Sequence, residues 1–424
     1  MPDAAPDNAN FRKQNDAFNP PVPAQAARTL NQTREGSRDY VASLTGLRGV
    51  AALFVFAFHY GSLNAGLRLD LSVPVIGSLL HFPIGFGFSG VDMFFVLSGF
   101  LLSLPFARST LSGNAQQPLK RYYKRRILRV FPAYYAQLAI ILLAGSWFVT
   151  WKPVAGVSLL AHLLMFFNIG WDPVRPIVGI WWTLPVELSF YLLLPLVASF
   201  MRPGRWLALL SSGILLSMLY RLWAADYFAS APEGAIFRAA SHVPGSRPEF
   251  LLGASAAMLV QWLNLNAIKR PGPWMLDAMF LASVALTMAW FWKVLLPNGA
   301  AYWSGHWSMV IAPAFLGVPL SLMVISLYWG SRLGSLLFAN PVVYFLGLIS
   351  YSLYLWHFVV MQQAQLLLGE IYAGWHGLAK FLFSMTLVVL VAAISYFLFE
   401  RPFFRLGSRV KPRPPKSTAS QHTR

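Results

Sequence analysis

Arg48 and His59 lie in TGLRGVAALFVFAFHY, residues 45–60, a run otherwise almost entirely apolar. A segment that only crosses a bilayer avoids a guanidinium and an imidazole, because burying them in lipid is costly. The two residues are eleven apart. On an α-helix that is three turns plus ~20°, so both side chains point to nearly one face, about 16 Å apart along the axis. Two readings fit. In one, Arg48 reaches the headgroups and His59 bonds a neighbouring carbonyl. In the other, both face a protein interior or a wet cavity, where a neutral imidazole is available as a base.

Acids are scarce, fifteen in all, and two sit well inside apolar runs: Asp92 in GVDMFFVLSGFLLS and Glu187 in WWTLPVELSFYLLLP. Asp92 can cap its own helix or pair with an arginine, or it can serve a site. Glu187 precedes Tyr191 by one turn and can orient an imidazole or bind hydroxyl groups. Glu400, in FERPFFR, reads as a structural partner for an arginine. His357 in SYSLYLWHF shares a helix face with Ser350 and Tyr354. It is either a second base or a core histidine bonded to a tyrosine. His81, His162, His242, His306, His376 and His422 lie in loops, ends or tails and take no role. No His/Asp/Glu grouping has metal-ligand spacing. There is no cysteine, which excludes disulfides and a thiol nucleophile. A phosphate-cradling glycine loop and a G-x-S-x-G elbow are absent as well.

The elements that must position these residues are spanning helices. Of 424 residues, 57% are hydrophobic and only 11% charged, against about 25% charged in a soluble chain. Mean hydropathy is +0.54. The reading is an all-α polytopic membrane protein with about ten transmembrane helices: 42–63, 84–105, 127–149, 181–200, 205–225, 248–264, 274–294, 307–328, 340–366 and 378–399. An eleventh run at 157–170 is short and interrupted by His162, and reads as a re-entrant or interfacial segment.

The net charge of +18 is placed in blocks. Seven bases fall between Arg108 and Arg129 and seven more between Arg401 and Arg424, with no acid in either stretch. Beside hydrophobic spans such clusters fix topology and face anionic lipid rather than nucleic acid. Ten spans put both termini and both clusters on the cytoplasmic side; eleven would send the basic tail outside. Residues 1–40 read as a disordered cytoplasmic tail, 41–402 as the transmembrane domain and 403–424 as a basic tail.

LTGLRGVAALFVFAFHY, GVDMFFVLSGFLLS, RRILRVFPAYY, WWTLPVELSFYLLLP, SYSLYLWH and FERPFFR occur in this order. In that order and with the Arg-x10-His spacing, residues 41–402 resemble acyltransferase family 3, bacterial ten-span enzymes of the cytoplasmic (inner) membrane. These enzymes transfer acyl groups, often acetyl, to hydroxyls of extracytoplasmic glycans and similar acceptors. The resemblance implies His59 as catalytic base, Arg48 as its partner, and Asp92 and Glu187 as the acids of the second and fourth spans. It implies Arg126 and Arg129 as an Arg-x-x-Arg pair. Thr45 and Thr183 depart from the aspartate and serine common at those places, which points to altered acceptor contacts. A fused hydrolase-like domain found in some members is not expected after residue 402.

The co-substrate this implies is acyl-CoA, acetyl-CoA by family frequency, with no metal. Arg121, Lys124, Arg125, Arg126 and Arg129 are the groups to hold its phosphates. Its thin arm would pass Arg48 to reach His59. Polysaccharide, peptidoglycan, lipid-linked sugar and small secreted molecules all remain as acceptors. A transporter or flippase for a lipid-linked or aromatic solute explains ten spans and intramembrane acids equally well, but not the ordered motifs. A scaffold needs no intramembrane charge at all.

Overall fold

Helices make up the regular structure of the described residues in the computed structural model; these residues are 24–64, 82–114, 116, 118–147, 155–168, 174–202, 204–231 and 234–408. No strand occurs among them. In chain order the main helices are α1 (Ala24–Leu63), α2 (Gly90–Ser112), α3 (Leu119–Leu143), α4 (Gly156–Leu163), α5 (Thr183–Phe200), α6 (Trp206–Tyr227), α7 (Ala235–Ala240) and α8 (Pro248–Leu265). They continue as α9 (Pro273–Trp290), α10 (Trp307–Tyr328), α11 (Arg332–Phe338), α12 (Pro341–Leu348), α13 (Ser350–Gly374), α14 (Gly377–Ser395) and α15 (Arg401–Ser408).

Eight helices are long and apolar enough to cross a membrane, and the pair α12 and α13, bent by 75°, makes a ninth if taken as one span. The expected ten is not reached by that measure. The difference lies at 248–264, where a helix does form but Glu249, Gln261 and Asn264 reduce its apolarity. The run at 157–170 is short as expected: α4 has eight residues, about 12 Å of helix, too short to cross. Residues 169 and 170 lie outside the described residues. So do 1–23, 409–424, His81 and His422. Residues 24–40 are helical, continuous with the first span, where a disordered tail is the expectation. The stretch is free of proline and rich in helix formers.

Helix α1 is the axis of the bundle. Leu44, Leu47 and Ala51 pack in one apolar cluster with α2, α8 and α10, while Ala52, Phe56 and Tyr60 pack in another with α13 and α14. Val55 joins a third, built on α3, α5 and α13. A helix enclosed on so many sides has no lipid face along its span, so Arg48 and His59 point into protein.

Backbones approach closely where glycine leaves room, as in packed membrane helices. A Cβ on Gly347 of α12 would stand 1.9 Å from Thr45 O of α1, and one on Gly46 would stand 1.8 Å from Phe338 O. Helices α2 and α8 cross the same way: a Cβ on Gly99 would meet Phe250 O at 2.3 Å, and one on Gly253 would meet Val96 O at 2.1 Å. That crossing sets Asp92 of α2 beside Glu249, at the start of α8.

Helix α4 is held by its own histidine. His162 is fully buried; its Nδ1 donates to Ser158 O at 2.7 Å and its Nε2 accepts from the Ile177 N–H at 3.0 Å. With both ring nitrogens bonded to backbone, His162 is structural. Tyr134 and Tyr135 of α3 donate to His162 O and Leu163 O, docking α4 onto the bundle.

Candidate active site

Three cavities follow one another through the bundle. The first, about 320 Å³, is lined by Arg121, Arg125, Arg126 and Arg129 of α3 and by Phe403 and Phe404 of α15. The second, about 40 Å³, takes Arg129 as a wall and adds Arg48, Glu187, Tyr191 and Tyr354. The third, about 270 Å³, shares Val91 and Phe95 with the second and contains His59, Asp92, Arg221 and Glu249. Arg48 and His59 therefore sit in adjoining cavities.

At the basic end, three guanidiniums lie over aromatic rings: Arg129 over Phe404 at 5.3 Å, Arg126 over Tyr191 at 5.9 Å and Arg48 over Phe94 at 5.6 Å. A ring face holds a guanidinium by cation–π attraction and leaves its N–H groups available for an anion. The buried Nε atoms of Arg48 and Arg126 have no hydrogen-bond partner in the protein. Lys124 does not line the basic cavity and is exposed. The helix period explains this: Arg121, Arg125, Arg129 and Arg126 span an arc of ~140°, and Lys124 falls ~60° outside it.

Glu187 stands across from Arg48, accepting from Ser98 Oγ at 3.1 Å and from the Tyr191 hydroxyl one turn along. Tyr354 donates to Ile180 O at 2.6 Å, so the 2.7 Å contact with Thr183 is donated by the threonine hydroxyl. Glu400 is buried and takes the hydroxyl of Ser352, tying the end of the α14 span to α13.

The His59 ring is held by two groups. Nδ1 lies 2.9 Å from Val55 O and 3.2 Å from His357 Nε2, while His357 Nδ1 lies 2.7 Å from Tyr354 O. His357 is fully buried. Among the described residues no hydrogen bond joins Glu187 or Asp92 to His59. Glu187 lines the neighbouring cavity with Arg48, and Asp92 lines the His59 cavity without bonding the ring; among the described residues the side chain in hydrogen-bond contact with the imidazole is that of His357.

Asp92 and Glu249 line the third cavity together as a pair of carboxyl groups, brought close by the crossing of α2 and α8. Arg221, buried beside them, donates to Met309 O at 2.7 Å, Ala240 O at 3.1 Å and Gly245 O at 3.2 Å, which fixes α6, α7 and α10 around the cavity. Phe58 and Trp303 stack at 6.2 Å, and Phe88 and Phe237 meet the same indole at 5.3 Å and 4.8 Å. The third cavity thus combines aromatic faces, an acid pair and one imidazole.

Glu249 and Arg221 are the site residues that sequence reasoning passes over. Arg221 carries a readable signal, since it interrupts the apolar run 205–225. Glu249 sits at the edge of its run, where an acid is unremarkable at a helix N-terminus.

A family model described as an acyltransferase domain matches residues 41–397. The chain is 26% identical over 402 residues to a Komagataeibacter xylinus protein carrying the name membrane-bound transacylase BcsY, covering 90% of this chain and 87% of that one. It is 24% identical over 389 residues to O-acetyltransferase OatA of Staphylococcus aureus, covering 87% of this chain and 58% of the relative. With peptidoglycan O-acetyltransferase OatA of Listeria monocytogenes it shares 24% over 362 residues, 78% of this chain and 51% of the relative. The chain thus spans only part of the two OatA proteins. No solved structure matches.

Proposed function

The chain belongs to the acyltransferase family whose domain model spans most of it, and from that membership and the three cavities we propose that it moves an acyl group, acetyl by default, from cytoplasmic acyl-CoA to a hydroxyl of an extracytoplasmic glycan. The observation that carries the reading is the placement of His59: Nδ1 is bonded, and the ring lines the last of three cavities that share walls in sequence, the first of them lined by arginines.

Arg121, Arg125, Arg126 and Arg129 supply the charge that a nucleotide's phosphates require, with the N–H groups of Arg126 and Arg129 kept available by ring stacking. The arm of the donor would run past Arg48, and Val91 and Phe95 must part to admit the thioester to the third cavity. There His59 Nε2 takes the proton of the acceptor hydroxyl as its oxygen attacks the thioester carbonyl. The C–S bond breaks, and the thiolate of coenzyme A leaves with the proton that His59 returns. Arg48 is about 16 Å from His59 along the helix. That distance supports a contact of Arg48 with the donor's arm rather than with the reacting carbonyl. The acid pair and the aromatic walls suit a sugar ring, which offers hydroxyl donors on its edges and apolar C–H faces. Peptidoglycan is one such acceptor, by the name of the Listeria relative.

Sidedness follows from charge. Arg129, Phe403 and Phe404 line one cavity, so the starts of α3 and α15 lie at one end. The positive-inside bias makes that end cytoplasmic. The entry of α1 is at the same end, because Arg48 and Arg129 share a cavity. A chain that enters and leaves at one end crosses an even number of times, which favours ten spans with α8 and the bent pair included. The membrane is then a bacterial inner membrane, where cytoplasmic acyl-CoA and an outer acceptor meet.

The test is transfer of radiolabelled acetyl from acetyl-CoA by purified protein in liposomes, with peptidoglycan fragments as acceptor. His59→Ala is expected to abolish transfer while the protein remains inserted and extractable. Full turnover by His59→Ala would remove His59 as the base.

A further inference from the structure

We propose that His357 is a positioning residue for the transfer: by accepting from His59 Nδ1 beside Val55 O it reinforces the tautomer with Nε2 bare and turned to the cavity, and it stabilises the imidazolium that forms when Nε2 takes a proton. The inference rests on the reading of His59 as the base. It goes beyond that reading by naming what makes His59 a base rather than a donor.

Three contacts leave one arrangement of protons. A carbonyl oxygen only accepts, so the 2.7 Å contact to Tyr354 O places the proton of His357 on Nδ1. A neutral imidazole carries one N–H, and His357 Nε2 therefore presents a lone pair. That lone pair lies 3.2 Å from His59 Nδ1, which must donate to it. Val55 O, 2.9 Å from the same nitrogen, requires the same thing. The proton of His59 is shared between two acceptors, and Nε2 of His59 is left without one. With its proton on Nε2, His59 would turn a bare Nδ1 toward both a carbonyl oxygen and a second lone pair. The transfer would then face an N–H where it needs a base.

The surroundings hold this geometry. His357 is fully buried on α13, and the two rings have centroids 5.1 Å apart. Phe58 and Phe358 meet the His59 ring edge-on at 5.2 Å and 5.4 Å, which limits its rotation. A purely structural role would need His59 to require a partner, but Val55 O already supplies one. The second acceptor matters during reaction instead. When Nε2 takes the hydroxyl proton, the ring becomes positive, and its Nδ1–H bonds become charge-assisted and stronger. His357 thus stabilises the imidazolium as it forms, the part a carboxylate takes beside the histidine of a serine hydrolase.

The experiment compares His357→Leu, His357→Gln and His59→Ala in liposomes, reading kcat, the KM for acetyl-CoA and the melting temperature. His357→Leu should lower kcat by about tenfold or more, the scale of one charge-assisted hydrogen bond, with KM changed less than about twofold. His357→Gln should recover most of the loss, because its amide oxygen can accept from Nδ1. His357→Phe, an acceptor-free ring of similar bulk, stands in if the leucine variant does not fold. Wild-type kcat in the leucine or phenylalanine variant overturns the proposal, as does an equal fall in the glutamine variant with the fold intact. An active His59→Ala would overturn the base assignment itself. An inactive His59→Ala beside a fully active His357→Leu removes the positioning role alone.

Discussion

A guanidinium stacked on a ring and a guanidinium tied to carbonyls do different work, and this protein holds both. Arg221 spends its N–H groups on three backbone oxygens, so it braces the third cavity and lends it positive charge. Arg126 lies over Tyr191 with its Nε unpartnered, so it is open to an anion. Arg126→Ala should raise the KM for acetyl-CoA about tenfold, the scale of one lost charge-assisted contact, and leave the acceptor's KM alone. Titrating each substrate separately checks this, and an unchanged donor KM would take the phosphates elsewhere. Glu249→Gln should do the converse. An amide carries no charge and is a weaker acceptor for a hydroxyl, so hydroxyl binding weakens, and the acceptor's KM should rise by about tenfold at an unchanged donor KM. A shift in the donor's KM only would mean that the third cavity takes the wrong substrate in this scheme. Much of this was legible in type and spacing. A separation of eleven positions between Arg48 and His59 suffices to put both on one face, and the acids inside apolar runs announce themselves. Spacing along one helix says nothing about which atom of another helix arrives. His357 is 298 positions from His59, and a one-dimensional reading that offered it as a rival base had no way to see that its Nε2 faces the other ring.

Helices turn those residues into a site by how closely they pack. The apolar runs alone predict where most helices lie, because backbone groups in a bilayer must bond within the segment. They do not reveal that the 340–366 run bends by 75° between α12 and α13. The bend carries Ser350 and Tyr354 to the Arg48 cavity and His357 to His59 within the first turns of α13. Nor do they explain α8, whose polar residues make it a weak span by hydropathy and a good neighbour for α2. The backbone contact at Gly99 and Gly253 is what keeps Asp92 and Glu249 together. Gly253→Leu should therefore separate α2 from α8. Its Cβ alone would enter Val96 O at 2.1 Å, and overpacking of this kind costs about 1–3 kcal/mol. A lowered melting temperature with a raised acceptor KM is the expected result, read by thermal unfolding in detergent alongside the transfer assay. If melting falls and the acceptor KM stays put, the crossing supports the fold without setting the acid pair.

On the scale of the whole molecule, the argument turns on direction. In the proposed transfer the donor is an anion confined to the cytoplasm and the acceptor lies beyond the bilayer, which requires the arginine-lined cavity to open inward and the His59 cavity outward. Ser112, at the end of α2, is exposed and belongs to the basic end; Ser304 is exposed beside Trp303, a wall of the His59 cavity. Both can be probed one at a time, because the chain has no cysteine to remove first. In intact cells a membrane-impermeant maleimide should label Ser304→Cys, and should reach Ser112→Cys only after permeabilisation. The charge bias that underlies this expectation is strong where bases cluster near span ends, as they do from Lys120 to Arg129 without an intervening acid. Labelling of both cysteines from outside would put the two ends of the cavity series on one face and leave no path for transfer across the bilayer. Labelling of Ser112→Cys alone would invert the protein, set its arginines facing a compartment without acyl-CoA, and require a different donor for the same histidine.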